Sequence, residues 1–184
     1  MIQRDTDTIV VPDGVEAIGD YAFAFWNKSR TKTPLKYITL PASLTKIKSS
    51  GFNNCTELEL DKLPDNIRDI GTEAFVNCSK ITLSEIPSGL TRINFSCFSS
   101  CNSLTKIVFK GEMVLIGNSA FYNCTNLTKF SFPNNTAVPT LVSINAIPTG
   151  ANFTGTIEVP NALLDTWKAS TNWAQLTQAN WVGI

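Results

Sequence analysis

The 184-residue chain contains no histidine. That absence removes the commonest general base and the commonest neutral metal ligand, so acid–base catalysis and a histidine-anchored metal centre are disfavoured from the outset. Net charge is missing too. Fifteen Lys and Arg balance fifteen Asp and Glu, which leaves no overall field to gather nucleic acid or anionic lipid without sequence preference. Nucleic acid is therefore not an expected partner. No apolar run approaches the roughly 18 residues of a membrane-spanning helix, so membrane insertion is not expected either. The opening stretch MIQRDTDTIVVP lacks the basic start, apolar segment and small-residue cleavage site of a secretion signal. The chain either stays inside the cell or begins downstream of a leader. What it does have is apolar material: 43% of its residues are hydrophobic, enough to enclose a continuous core.

That material is distributed with a period of 23. Cys55, Cys78, Cys101 and Cys124 keep this step, and so do Phe52, Phe75, Phe98 and Phe121. Ile47, Ile70, Ile93 and Ile116 form a third column; Leu58, Ile81, Leu104 and Leu127 form a fourth. An earlier copy, VPDGVEAIGDYAFAFW (11–26), aligns through Val15, Ile18, Phe23 and Trp26. From Phe23 to Phe52 the step is 29, so six extra residues intervene, and KSRTKT (28–33) is the natural insertion. A degraded copy without cysteine follows Phe132.

Each unit reads as two short aliphatic segments divided by a proline turn and closed by an A-F-x-x-C corner, clearest in LPDNIRDIGTEAFVNC. Twenty-three residues cannot bury their own apolar face, so each coil has to stack on the next. The expected product is a solenoid in which equivalent residues form ladders at the ~4.8 Å spacing of parallel strands. The Phe and Ile columns make the core. Small residues before each Phe (Ala22, Gly51, Ala74, Cys97, Ala120) allow close passage of neighbouring backbones. The site three residues ahead of these holds Gly19, Lys48, Gly71, Asn94 and Gly117, a pattern that suits positive φ and would strain Lys48. The Asn or Ser preceding each Cys (Asn54, Asn77, Ser100, Asn123) is expected to hydrogen-bond turn backbone.

Cysteine at fixed spacing invites a metal or redox reading. Zinc sites want close pairs such as C-x-x-C, whereas the nearest pair here is Cys97 and Cys101, separated by three residues. In a column the side chains point the same way rather than at each other, which opposes disulfides between rungs. Free, buried thiols acting as small apolar plugs are expected, and no metal or cofactor. Near the end, NALLDTWKASTNWAQL (161–176) carries the one helical signal, with Asn161 as N-cap and Leu163, Leu164 and Trp167 on one face. It reads as a cap over an open solenoid end, with Trp167, Trp173 and Trp181 as bulk; the functional alternative is a tryptophan platform for sugar or peptide.

The unit and the terminal segment together resemble the BspA-like leucine-rich-repeat family of bacterial and protist surface proteins. The resemblance rests on five (L/I)P…I-G…AF…C copies between Pro12 and Cys124 and on IEVPNALLDTWKASTNWAQL (157–176). Lys110 in place of proline, and Asn94 and Lys48 in place of glycine, are departures. The resemblance implies a leucine-rich-repeat solenoid: mainly β, with stacked short parallel strands, turn corners and one C-terminal capping helix. It also implies a cell-surface or extracellular location and a non-enzymatic role in binding proteins or in adhesion. The expected organisation is a single domain over 1–184, with about five regular repeats in 11–132, a degenerate repeat in 133–160 and a cap in 161–184. The absence of a comparable cap at the start fits a fragment of a longer protein.

For such a solenoid the recognition surface is the sheet built from LKYITLP, LELDKLP, ITLSEIP, LTKIVFK and LTKFSFP. Its outward columns include Lys36, Glu59, Thr82, Thr105 and Thr128, and in parallel Thr39, Lys62, Glu85, Val108 and Ser131. The inward register is left open, because Asp61 and Ser84 stand where Ile38, Ile107 and Phe130 do in other copies, while Leu60 and Leu83 offer an alternative. The candidate binding residues are Lys36, Tyr37, Glu59, Lys62, Glu85, Lys106 and Lys129 on the sheet, and Lys28, Arg30 and Lys32 on the inserted loop. A merely solvated charged face is the competing reading. Protein is the expected partner; glycan recognition through Tyr37 and Tyr122 is the alternative. No residue is assigned to catalysis, the close pair Glu59 and Asp61 lacking any pocket-forming irregularity around it.

Overall fold

A computed structural model describes residues 7–24 and 34–184. Its strands follow in chain order as β1 (Thr8–Val10), β2 (Ala17–Ile18), β3 (Tyr37–Thr39), β4 (Lys46–Ile47), β5 (Asp69–Ile70), β6 (Glu85–Ile86) and β7 (Arg92–Ile93). There follow β8 (Lys106–Phe109), β9 (Leu115–Ile116), β10 (Lys129–Ser131), β11 (Thr140–Leu141), β12 (Thr156–Val159), the helix α1 (Leu164–Ala169) and β13 (Asn180–Gly183). Every pairing between these strands is parallel. A front sheet runs β6-β8-β10-β12-β13, with β1-β3 as a separate pair at its other end. A side sheet is split into β2-β4-β5 and β7-β9-β11. One buried cluster runs from Val11 to Leu176 and fills the space between front arm, side arm and corner.

The corner motif supplies the spine of that core. The rings of Phe23, Phe52, Phe75, Phe98 and Phe121 stack in sequence, with centroids 5.1, 5.2, 5.4 and 5.6 Å apart and planes within 15° of parallel. Beyond Phe121 the stack turns edge-on to Phe109 and Phe130. It then passes through Phe132 into Trp167 and Trp173, whose centroids lie 4.8 Å apart.

The cysteines do more than fill space. Each of Cys55, Cys78, Cys101 and Cys124 points its Sγ at the carbonyl of the Phe one coil back (Phe23, Phe52, Phe75, Phe98) at 3.0–3.1 Å. In the three carbonyls from Phe52 to Phe98 the same oxygen also accepts the backbone N–H three residues on, at 3.0–3.2 Å. Thiol is thus both plug and donor, which explains a residue the size of Ser but apolar enough to be buried. All five cysteines are free and buried. Burial pushes Cys55 and Cys124 up to about 12 and raises Cys78, Cys97 and Cys101 well above the ordinary thiol range. Because the reactive thiolate is suppressed and access is closed, none of the five thiols will be alkylated by iodoacetamide in the native protein at mildly alkaline pH, and all five will react in urea. Mass spectrometry counts the adducts; a native adduct at any rung would refute a closed corner.

The turn backbone does not lack partners. Corner N–H groups donate to the following coil, as in Phe52 to Ala74 (2.8 Å), Asn54 to Val76 (2.8 Å), Phe75 to Cys97 (2.9 Å) and Phe98 to Ala120 (2.8 Å). The Asn/Ser column consequently pairs with itself: Asn77 Nδ2 donates to Asn54 Oδ1 at 2.7 Å, and Asn123 Nδ2 to Ser100 Oγ at 3.2 Å. Positive φ falls on this column (58–62°), and on Tyr21, Ser50, Glu73, Ser96 and Ser119 (50–59°). It does not fall on the Gly19, Lys48, Gly71, Asn94 and Gly117 column, so Lys48 carries no such strain. Glycine is needed there for a different reason: a Cβ on Gly71 would lie 2.5 Å from the Ser49 nitrogen, and one on Gly117 2.8 Å from the Asn94 carbonyl carbon. Where Asn94 replaces glycine, its Nδ2 donates to the Ile70 carbonyl at 2.7 Å in place of the backbone, and the side sheet breaks between β5 and β7.

The open register of the front arm resolves in two ways. Ile107 and Phe109, Phe130 and Phe132, and Ile157 and Val159 point inward at a spacing of two, as a pleated strand requires. Leu60 and Leu63, and Leu83 and Ile86, turn in at a spacing of three, which puts Asp61 and Lys62 outward in succession and interrupts the pleat. Ser131, expected outward, is only 5% exposed. It lies opposite Glu158 on β12 and hydrogen-bonds its carboxylate.

The terminal segment is less helical than its periodicity suggests. Asn161–Leu163 forms a 3-10 turn, α1 begins at Leu164, and Asn161 caps neither. Another 3-10 turn follows at Trp173–Gln175 after Asn172, whose φ is +64°. Trp167 and Trp173 are fully buried, which removes them from any exposed platform. Trp173 Nε1 donates to the Pro139 carbonyl at 2.8 Å, whereas Trp167 Nε1 has no partner among the described residues.

Candidate functional site

The front sheet sets side chains at matched heights because its pairings are in register: Lys106 faces Lys129, Thr156 faces Lys129, and Glu85 faces Val108. At the other end Tyr37 pairs with Glu59, a step of 22 rather than 23, so Lys36 and Glu59 are not directly opposed as the period implied. They still meet through their side chains at 3.7 Å.

Most candidate charges on this face are neutralised within it. Lys62 contacts Asp65 at 3.5 Å, Glu85 contacts Lys110 at 3.1 Å, and Lys129 contacts Glu158 at 2.5 Å. Lys106 is the one candidate lysine among the described residues with no carboxylate partner. The Lys129 ammonium holds the Glu158 carboxyl below the usual range, against a smaller opposing effect of burial. Its contribution to stability is therefore present above the ordinary Glu value and disappears as pH falls through the lowered folded value. Tyr37, and after it Glu59, raises the pKa of Lys36. The Lys36 ammonium sits 4.8 Å from the Tyr37 ring centroid, which covers one face of that ring.

The structure does not bring Tyr37 and Tyr122 together: the first lies on β3, the second in a corner three coils further on. Glu59 and Asp61 flank the inward Leu60, and Glu59 is engaged by Lys36; contrary to the regular surroundings expected there, Asp61 lines a groove, because Leu60 and Leu63 turn inward at a spacing of three. Lys28, Arg30 and Lys32 lie outside the described residues. Lys110, Asp65 and Glu158, which complete the ion pairs, escape the sequence pattern because Glu85 and Lys110 are 25 apart and Lys129 and Glu158 are 29 apart. Among the described residues no group of three or more Cys, Asp or Glu is placed to hold a metal ion. No helix there is long and apolar enough to cross a membrane.

Stacked parallel coils around a single ring ladder, with an open face of paired charges, define a solenoid repeat protein. The profile of the BspA-type leucine-rich repeat region matches residues 27–140 in six copies, and the chain belongs to that family. Its fold is a leucine-rich-repeat solenoid of short parallel strands with one helix. It is similar to a leucine-rich cell surface protein of Faecalibacterium prausnitzii A2-165: the two are 19% identical, with 98% of this chain and 61% of that one covered and a TM-score of 0.41. It is also similar to a leucine-rich repeat protein of Bacteroides ovatus ATCC 8483, at 17% identity, 97% and 66% coverage and a TM-score of 0.34. The chain thus spans less than two thirds of the length of either. No curated protein matches it.

Proposed function

We propose that the chain is a non-catalytic protein-binding module displayed at a bacterial cell surface, acting as one solenoid unit over 1–184 and contacting its partner through the front sheet. Family membership supports a repeat module for protein interaction. The observation that carries the choice of face is the continuous run β6-β8-β10-β12-β13. Its salt bridges pair Glu85 with Lys110 and Lys129 with Glu158 and, among the described residues, leave Lys106, on a central strand, as the unpaired candidate lysine. A backbone already ordered by in-register strand pairing loses little entropy on binding, which favours this sheet face.

The test is a panel of bacterial surface and extracellular-matrix proteins read by surface plasmon resonance. At least one protein binds, and Lys106→Glu weakens it by about tenfold, the size of one lost charge contact. Silence across the panel, or binding indifferent to Lys106→Glu and Glu85→Lys together, removes the reading.

A further inference from the structure

We infer that the groove between the second and third coils is a docking site for an extended peptide segment carrying a basic side chain; this rests on the protein-binding reading above and narrows its partner. The groove has a volume of 510 Å³. Half-buried Ile38 and Leu40 and buried Leu60 and Leu63 line it, together with the exposed Asp61, Lys62 and Asp65. It lies where the third coil abandons the pleat. In regular coils the later strand is tied back to the earlier one, as in Val108 N–H to the Ser84 carbonyl at 2.9 Å and Lys110 N–H to Ile86 at 3.0 Å. Among the described residues, the N–H groups of Asp61, Lys62 and Leu63 find no backbone acceptor in either neighbouring coil.

Three features of this gap specify its occupant. Unpaired strand donors beside apolar walls are what an added extended segment satisfies, since main-chain bonds supply affinity and alternate side chains fill the pockets. The half-buried Ile38 and Leu40 and the buried Leu60 and Leu63 suit aliphatic side chains. The lining holds two carboxylates, Asp61 and Asp65, against one ammonium, Lys62, which is committed to Asp65. Asp61 is exposed and, among the described residues, has no ion pair. A Lys or Arg of the incoming segment complements it.

Short random peptides displayed on phage are selected against the whole chain, and peptides synthesised from the enriched set are titrated against the wild type, Asp61→Lys and Ala42→Trp. Ala42 is exposed on the groove lining, so Trp there fills the gap without entering the core. Unchanged thermal midpoints establish that both variants are folded. The expected result is enrichment of aliphatic or β-branched segments containing Lys or Arg, with affinity lowered at least about tenfold by each variant. No enrichment, enrichment of peptides without a basic residue, or equal affinity for the variants overturns the inference. The two readings separate cleanly. If a partner protein lost through Lys106→Glu is indifferent to Asp61→Lys, the front-sheet reading stands and the groove falls. If no protein in the panel binds while peptides bind in an Asp61-dependent manner, the reverse holds.

Discussion

Replacing Phe75 with Ala will lower stability by about 3–5 kcal/mol, the range for a fully buried aromatic reduced to a methyl. For a chain of this size that is a fall of roughly 6–20 °C in thermal midpoint. The cost is expected at the upper end because Phe75 is sandwiched: Phe52 stacks on one side at 5.2 Å and Phe98 on the other at 5.4 Å, and its exposure is 0%. Both neighbours lose a partner at once, and the ladder has no lateral freedom to close the gap. Phe75→Leu fills most of the volume and should cost less than about 1.5 kcal/mol. Urea denaturation of the three proteins checks the order. Equal losses for Ala and Leu would mean that ring stacking, not volume, carries the interaction, while a loss below about 1 kcal/mol for Ala would mean that neighbouring coils collapse into the space.

Two glycines in one column should respond with opposite signs. Gly71→Ala places a Cβ 2.5 Å from the backbone nitrogen of Ser49 and 2.7 Å from the Lys48 carbonyl carbon. Backbone on both sides cannot step aside as a flexible side chain would, so coil separation must grow, at a cost of about 1–3 kcal/mol. Gly19→Ala meets nothing within 4 Å, and its φ is not in the positive region. There the only effect is a stiffer unfolded chain, which stabilises by about 0.4–1 kcal/mol. Thermal melts of the two single variants decide this directly: destabilisation by both, or by neither, would show that the close approach between coils is not what keeps position 71 free of a side chain.

The repeat was readable because it is carried by residues whose burial is absolute: Phe75, Ile70, Cys78 and Ile81 are all 0% exposed, so no other residue type could drift in. Side-chain identity was less informative where one residue serves two purposes. Glycine marks either positive φ or close approach, and the column at Gly71 and Gly117 uses the second. Positive φ falls instead on Tyr21, Ser50, Glu73, Ser96 and Ser119, which share no chemistry that would announce it. The front register was ambiguous because Leu60 and Ile38 satisfy the same apolar requirement at different spacings, and only packing decides between them. The candidate surface was legible as a set of columns but not as a charge map. Lys110 and Glu158 reach their partners across spacings that depart from the period, so the pairing that isolates Lys106 could not be counted along the chain. The groove at Asp61 follows from the same loss of pleat and was equally hidden.

The direction of the hydrogen bonds has a consequence for how this molecule changes length. Side-arm N–H groups donate to the coil before, as Gly71 does to Ile47 at 2.7 Å, while corner N–H groups donate to the coil after, as Phe75 does to Cys97 at 2.9 Å. Every turn therefore offers both sockets and plugs to each neighbour. A duplicated 23-residue segment would meet a matching complement above and below, whereas an insert of any other size finds no such complement in the stack. Gene-level growth and shrinkage in whole turns is the mutational path of least resistance that this wiring leaves open.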